Sequence, residues 1–210
     1  MKSSFEEDRI DAAVKVVICG EAGVGKTNLL LRHVRGFFDP NTRATIGVDF
    51  FAQNATHGDF NIKMQFFDTA GTEKYRSTNS QYFRGALGAI LVYDITRRQT
   101  FEKVKEWLDM IKTYATSDVV KLLIGNKIDL AKNREVTVEE GAAYAESQGC
   151  FFMETSALTN EKDCVNKAFE ILTKRLAETM AKKIEETIVR ESILIERIAI
   201  PTATQKPCLC

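Results

Sequence analysis

The residues Gly20-Glu21-Ala22-Gly23-Val24-Gly25-Lys26-Thr27 follow the pattern G-x-x-x-x-G-K-[ST]. Each residue type in it has a task on a phosphate. The glycines let backbone N–H groups converge on phosphate oxygens with no side chain in the way. A helix starting just after them turns its positive end toward the anion. Lys26 adds a full positive charge for the β- and γ-phosphates, and the Thr27 hydroxyl is a hard-oxygen ligand of the kind Mg²⁺ takes. The expectation is a nucleoside triphosphate site.

A second element chooses the base. Asn126-Lys127-Ile128-Asp129 follows a strand-like apolar run, at the carboxyl end where open α/β sheets bind ligands. The Asp129 carboxylate can accept two hydrogen bonds from the N1–H and N2 amino group of guanine. Adenine lacks that donor pair and would leave a carboxylate unpaired, a discrimination of roughly 10⁴–10⁵. Between the two elements stand Thr45-Ile46-Gly47 and Asp68-Thr69-Ala70-Gly71. Asp68 can hold a magnesium-bound water, Thr45 can ligate Mg²⁺, and the Gly71 N–H can donate to a γ-phosphate. Loops held only by that phosphate and its metal relax when it leaves, which makes a switch.

These residues need a scaffold, and the chain reads as strands alternating with helices. Val14 to Cys19 is a β-branched run that stops at Gly20. Thr27 to Arg35 reads as a helix closed by Gly36. Val48–Thr56 and Phe60–Phe67 are strand-like and joined by the hairpin signal His57-Gly58-Asp59. Ala86 to Tyr93 is a continuous apolar run, as a strand covered on both faces is, and Val119 to Ile124 reads as another buried strand. Thr100 is placed to cap a helix in which Phe101, Val104, Trp107, Leu108 and Ile111 recur at helical spacing. Thr137 to Glu140 is a capping box opening a helix that Gly149 closes, Phe151–Thr155 is the last strand, and a long helix follows from about Glu161. This alternation predicts one α/β domain over residues 12–178, a mostly parallel sheet between helices. Residues 1–11 form an N-terminal extension and 179–210 a tail.

Composition narrows the function classes. With 29 Lys plus Arg against 29 Asp plus Glu in 210 residues, the net charge is zero, which argues against general nucleic-acid binding. No apolar run approaches the ~18 residues of a membrane span. The opening MKSSFEEDRID has no apolar core, so no secretory signal is expected, and Lys2 excludes myristoylation. Cys19, Cys150 and Cys164 are scattered while Cys208 and Cys210 sit at the end, and this odd number, with two isolated histidines, predicts neither a disulfide framework nor a zinc site. A cytosolic chain is expected.

The ordered set GEAGVGKT, TIGVDF, DTAGTEKYRS, YFRGA, LVYDIT, GNKID and ETSA resembles the Ras superfamily of small GTPases, and TIGVDF, YFRGA and the terminal CLC resemble its Rab family. The resemblance implies a P-loop NTPase fold, an α/β structure of six strands, one antiparallel, with five flanking helices. It implies a GTP/GDP switch with Mg²⁺ as cofactor, active in vesicle-mediated membrane traffic. Carried over by position, Gly20, Ala22, Gly23, Val24, Gly25, Lys26, Thr27 and Asn28 serve the phosphates. Phe38 stacks on guanine, and Asn126, Lys127, Asp129, Ser156, Ala157 and Leu158 surround the base. Thr27, Thr45 and Asp68 serve the metal, and Lys26, Thr45, Gly71 and Thr72 act at the γ-phosphate. Ile46, Gly47, Val48, Asp49, Phe50, Phe67 and Tyr82 fall on the effector surface, where Phe50, Phe67 and Tyr82 match a partner-facing aromatic triad; plain packing is the alternative for those three. Expected partners are exchange factors, GTPase-activating proteins, a GDP-dissociation inhibitor and effectors, with the chain itself a monomer.

Three departures stand out. Thr72 replaces the Gln whose amide orients the attacking water, and a threonine hydroxyl is shorter with one donor, so slow intrinsic hydrolysis is expected. A GTP-binding scaffold that barely hydrolyses is therefore the alternative; an ATPase or kinase is disfavoured by the guanine element. Phe67 replaces a Trp, and Leu158 replaces the Lys of the S-A-K element. The C-x-C end resembles a signal for geranylgeranylation of Cys208 and Cys210, which implies cycling between cytosol and the cytoplasmic face of intracellular membranes. Ile184, Ile188, Ile195 and Ile198 fall at helical spacing, either as an extension of the last helix or as a docking surface.

Overall fold

Side chains alternate across a strand, and in β1 (Ala12–Cys19) both sets are apolar from Val16 onward. Val14, Val16 and Ile18 enter one core, while Val17 and Cys19 enter another on the opposite side of the sheet. Such a strand must be central. The computed structural model, which describes residues 10–58, 60–71 and 76–199 (side chains of 76–79 and 191–199 excepted), places it third in the order β2-β3-β1-β4-β5-β6. The other strands are β2 (Val48–His57), β3 (Phe60–Thr69), β4 (Gly88–Asp94), β5 (Val120–Asn126) and β6 (Phe151–Thr155). All neighbours are parallel except the β2–β3 hairpin. Every residue of β4 is buried, as its unbroken apolar run predicts.

Helices close both faces. On one, α1 (Lys26–Arg35) supplies Leu29 and Leu30, and α6 (Cys164–Ala199) supplies Phe169, Leu172 and Leu176 against Met64 and Phe66 of β3. On the other, α4 (Val104–Tyr114) inserts Trp107, Leu108 and Ile111 against Leu91, Tyr93 and Leu123. The capping box of α5 (Val138–Ser147) is formed as its sequence predicts, with Thr137 and Glu140 exchanging side chain-to-backbone bonds.

Some boundaries differ from the sequence reading. Thr100 caps nothing: α3 (Arg98–Glu102) starts two residues earlier, and the Thr100 hydroxyl instead donates to the Arg97 carbonyl and accepts the Asp94 N–H. The single helix expected there is interrupted at Lys103, so the described residues hold six α-helical segments, not five. No residue pattern locates helix α2 (Arg76–Phe83), because RSTNSQYF lacks apolar periodicity; Phe83 at its end is fully buried. β5 runs on to Asn126, two residues beyond the apolar run, and α6 begins at Cys164 after a short 3₁₀ turn over 161–163. Residues 1–9, Asp59 of the hairpin, Thr72, Cys208 and Cys210 lie outside the described residues.

Candidate functional site

At the carboxyl end of β1 the chain turns through Gly20–Gly25 into α1. Gly25 has φ 97, and a Cβ there would lie 2.5 Å from Asn126 Nδ2, so the turn requires glycine on both counts. The first residue of α1 is Lys26, only 6% exposed. Its ammonium donates to the carbonyls of Gly20 (2.8 Å) and Glu21 (3.1 Å), which holds it in the mouth of the loop. Burial pushes this ammonium below its ordinary pKa, with the Asp68 carboxylate pulling the other way. An anion seated on the loop would relieve that cost.

Two further segments meet α1 beside it. Thr27 Oγ1 donates to Asp68 Oδ2 at 2.6 Å and lies 3.1 Å from Thr45 Oγ1, and Thr45 Oγ1 is 3.4 Å from the same carboxylate oxygen. Asp68 is fully buried at the end of β3, and burial raises its pKa against the hydrogen bond from Thr27. Its Oδ1 has no hydrogen-bond partner among the described residues. Two hydroxyls and a carboxylate with an orphaned oxygen are a hard-donor set, and they fit Mg²⁺. The loop carrying Thr45 is fastened to α1 through Asn28, whose amide donates to the Asp39 carbonyl and Thr42 hydroxyl and accepts the Asp39 N–H. Gly71 approaches the phosphate loop so closely that a Cβ would lie 2.5 Å from Ala22 N and Glu21 C.

The base end is built by cross-links between loops. Asn126 donates to the Val24 carbonyl (2.8 Å) and accepts from Thr155 Oγ1 (3.2 Å) and the Ala157 N–H (3.3 Å). It therefore ties the phosphate loop, β5 and the Ser156-Ala157 turn together. Asp129 accepts from Ser156 Oγ at 2.5 Å, which fixes the carboxylate. Arg32 of α1 donates to the carbonyls of Ala157 (3.0 Å), Leu158 (2.9 Å) and Gly36 (3.1 Å). Lys127 pairs with Asp94 at 2.7 Å.

One cavity of about 500 Å³ joins both ends. Among its lining residues are Ala22, Gly23, Gly25, Lys26, Thr27, Asn28, Phe38, Thr45, Gly71, Asn126, Lys127, Asp129, Ala157 and Leu158. Most positions singled out in the sequence thus surround one space. Gly20, Val24, Asp68 and Ser156 stand behind its wall: Val24 is fully buried in the core, and the other three act on the lining through contacts given above. Leu130, Phe38 and Leu158 add apolar side chains to the lining. Sequence reasoning missed Arg32, Asp94 and Arg97. A carboxylate ending an all-apolar run was the available signal for Asp94; Arg32 had none, since its partners lie 125 and 126 residues away.

Outside the cavity, Phe50 and Phe67 meet edge to face (5.4 Å) and Phe67 lies 6.1 Å from Tyr82. Phe50 is 53% exposed and Ile46 84%, apolar groups that folding has left in water. Val48 and Asp49 open β2 after Gly47, whose carbonyl accepts the Ala70 N–H and so joins the Thr45 loop to the Gly71 loop.

A G-x-x-x-x-G-K-[ST] loop and the carboxylate of an N-K-x-D element, both lining one cavity at the carboxyl edge of a mostly parallel sheet, are the marks of a P-loop nucleotide-binding protein. The model of the Ras family matches residues 15–178. The chain is similar to Arabidopsis thaliana Ras-related protein RABA5c, 46% identical over 187 residues covering 89% of this chain and 86% of that one. Ras-related protein RABA5b of the same plant is 42% identical over 214 residues, 98% of each chain. Ras-related protein RABA5a is 47% identical over 180 residues, 85% of this chain and 80% of its own. The chain belongs to the Ras family of small GTPases, in its Rab branch, and the activity of that family is hydrolysis of GTP to GDP.

Proposed function

We propose that this Rab-type GTPase switches between GTP and GDP states through the loops carrying Thr45 and Gly71, with residues 12–178 as the switching domain, 1–11 as an extension and 179–210 as the tail. The observation that carries this reading is the meeting of Thr27, Thr45 and Asp68, which come from three separate elements and share one carboxylate oxygen. Thr27, Thr45 and Asp68 would hold Mg²⁺, which supplies neutralisation of charge on the β- and γ-phosphate oxygens. Lys26 leaves the loop carbonyls to meet the same oxygens, and the Gly71 N–H donates to the γ-phosphate. Water attacks the γ-phosphorus, the bond to GDP breaks and phosphate leaves with the proton. Lys26 and the backbone N–H groups stabilise the charge that develops. With the γ-phosphate gone, the Thr45 and Gly71 loops lose a shared anchor, and the surface formed by Ile46, Gly47, Val48, Asp49, Phe50, Phe67 and Tyr82 changes for effectors.

At the base, Asp129 reads the guanine N1–H and N2 amino group, the Ala157 N–H faces the base carbonyl, and Phe38 and Leu158 cover the ring. Exchange factors, GTPase-activating proteins and a GDP-dissociation inhibitor complete the cycle. Geranylgeranyl groups on Cys208 and Cys210 would bring the monomer to the cytoplasmic face of intracellular membranes. Thr72 favours a second reading, a GTP-loaded scaffold whose unassisted hydrolysis is very slow. The purified protein is expected to carry guanine nucleotide in Mg²⁺ buffer and to release it faster when EDTA is added. Asp129→Asn should move preference from GTP toward xanthosine triphosphate, whose 2-carbonyl accepts a donor. Protein that holds neither GDP nor GTP, or an unchanged base preference in this variant, overturns the reading.

A further inference from the structure

Asp94 ends β4 directly beside Asn126, the last residue of β5. It is 1% exposed, the one charged side chain on a strand whose every residue is buried. Its acceptors are fully used. Oδ1 takes the Thr96 N–H (2.9 Å) and the Thr96 hydroxyl (2.7 Å), and Oδ2 takes Lys127 Nζ (2.7 Å) and Arg97 Nε (3.1 Å). Arg97 then extends over the phosphate loop, where Nη2 donates to the Ala22 carbonyl at 3.0 Å. Its guanidinium also lies 3.5 Å from where a Cβ on Gly23 would stand. One buried carboxylate thus grips the lysine of the base element with one hand and, through an arginine, the backbone of the phosphate loop.

We infer that Asp94 is a positioning residue for nucleotide retention, an ion-paired clasp from Lys127 through Arg97 to Ala22 that keeps the base and phosphate halves of the site from separating. This rests on the guanine-nucleotide reading above. Asn126 makes a second link between the same halves, by a neutral hydrogen bond to Val24, and Arg32 of α1 a third, to the Ala157 and Leu158 carbonyls. Links in parallel mean that a nucleotide escapes only when all yield. The Asp94 link is the one that runs through a carboxylate paired with two cations, and removing the charge leaves both cations without a counter-ion. Burial by itself would raise the Asp94 pKa, yet the bonds from Lys127 and Thr96 outweigh it and hold the carboxyl below its ordinary value.

The test is release of fluorescent GDP from the full-length protein in Mg²⁺ buffer. Asp94→Asn keeps the shape and removes the charge, and should speed release by about tenfold, the loss of one charge-assisted link. Arg97→Gln alters a side chain exposed at 46% and should speed release to a lesser extent while the protein stays folded. If Asp94 acts through Arg97, the double variant releases less rapidly than the product of the two single effects predicts. Arg134→Gln breaks the ion pair with Glu154, which lies off the cavity lining, and should lower the melting temperature while leaving GDP release as it was. Release within twofold of the parent in both single variants overturns the inference, as does strict multiplicativity in the double variant. Should Asp94→Asn not fold, Arg97→Gln against Arg134→Gln decides the matter. A parent protein that holds no GDP at all defeats the nucleotide reading instead, so the two failures are distinct.

Discussion

Threonine at position 72 has one hydroxyl on a short stem, where the Rab pattern has a long amide with a donor and an acceptor. Orientation of the attacking water needs both functions, so the chemical step should be slow unless a partner supplies them. Thr72→Gln is expected to raise single-turnover hydrolysis by about tenfold or more, in the range a positioned side chain contributes. An unchanged rate would show that Thr72 is not what sets the intrinsic speed. At this scale legibility follows chemistry. Lys26, Thr27, Asp68 and Asp129 could be read because the proposed chemistry of phosphate, metal and base calls for their types in that order along the chain. Arg32 and Arg97 could not: they act on backbone carbonyls of distant loops, and a carbonyl leaves no trace in the sequence of the residue that carries it.

Elements were legible where burial imposes a period. The strands β1, β4 and β5 are legible because two covered faces demand apolar runs, unbroken in β4 up to its terminal Asp94 and interrupted only by Lys15 in β1 and Lys121 in β5 before it turns polar at Asn126. Helix α2 is not, since RSTNSQYF carries no apolar period. The α1–α6 contact adds something composition could not show. His33 of α1 stacks on Phe169 of α6 at 4.0 Å, stands edge-on to Phe66, and its Nδ1 lies 3.0 Å from Asn166 Oδ1. Burial lowers its pKa from 6.5, although Asn166, Glu170 and Asp163 pull upward. A depressed folded pKa means the fold prefers neutral imidazole, so the stability His33 contributes is present above pH 6.5 and is lost as pH falls through the folded value. Asp94 adds nothing in this window, since its carboxyl titrates below its ordinary value. The GDP-bound protein should therefore melt lower at pH 5.5 than at pH 7.5, and His33→Phe should reduce that fall by about 2 °C or more. Equal falls in both proteins would place the acid sensitivity elsewhere.

Over the whole molecule, the charge balance and α6 decide how the chain can meet a membrane. The last core residue of α6 is Ala177, with Met180 packed against the core and Lys183 paired to Asp118 at 2.8 Å. The helix continues to Ala199, about 33 Å further at 1.5 Å per residue. Lys182, Lys183, Arg190 and Arg197 there are matched by Glu185, Glu186, Glu191 and Glu196, so the tail has no basic stretch to draw it to anionic lipid. No helix among the described residues is long and apolar enough to cross a membrane. If Cys208 and Cys210 carry geranylgeranyl groups, those lipids must supply nearly all of the affinity. One chain gives only marginal attachment and two give a stable anchor, at about 0.8 kcal/mol per buried CH₂. Sedimentation of the prenylated protein with anionic vesicles should thus be the same in 0.1 M and 0.5 M salt, because screening removes only interactions between charges. Cys208→Ser should leave a fraction that washes off, and Cys208→Ser with Cys210→Ser should leave none bound. Release by salt alone would mean that Lys182, Lys183, Arg190 and Arg197 face the membrane together with their acidic neighbours turned away.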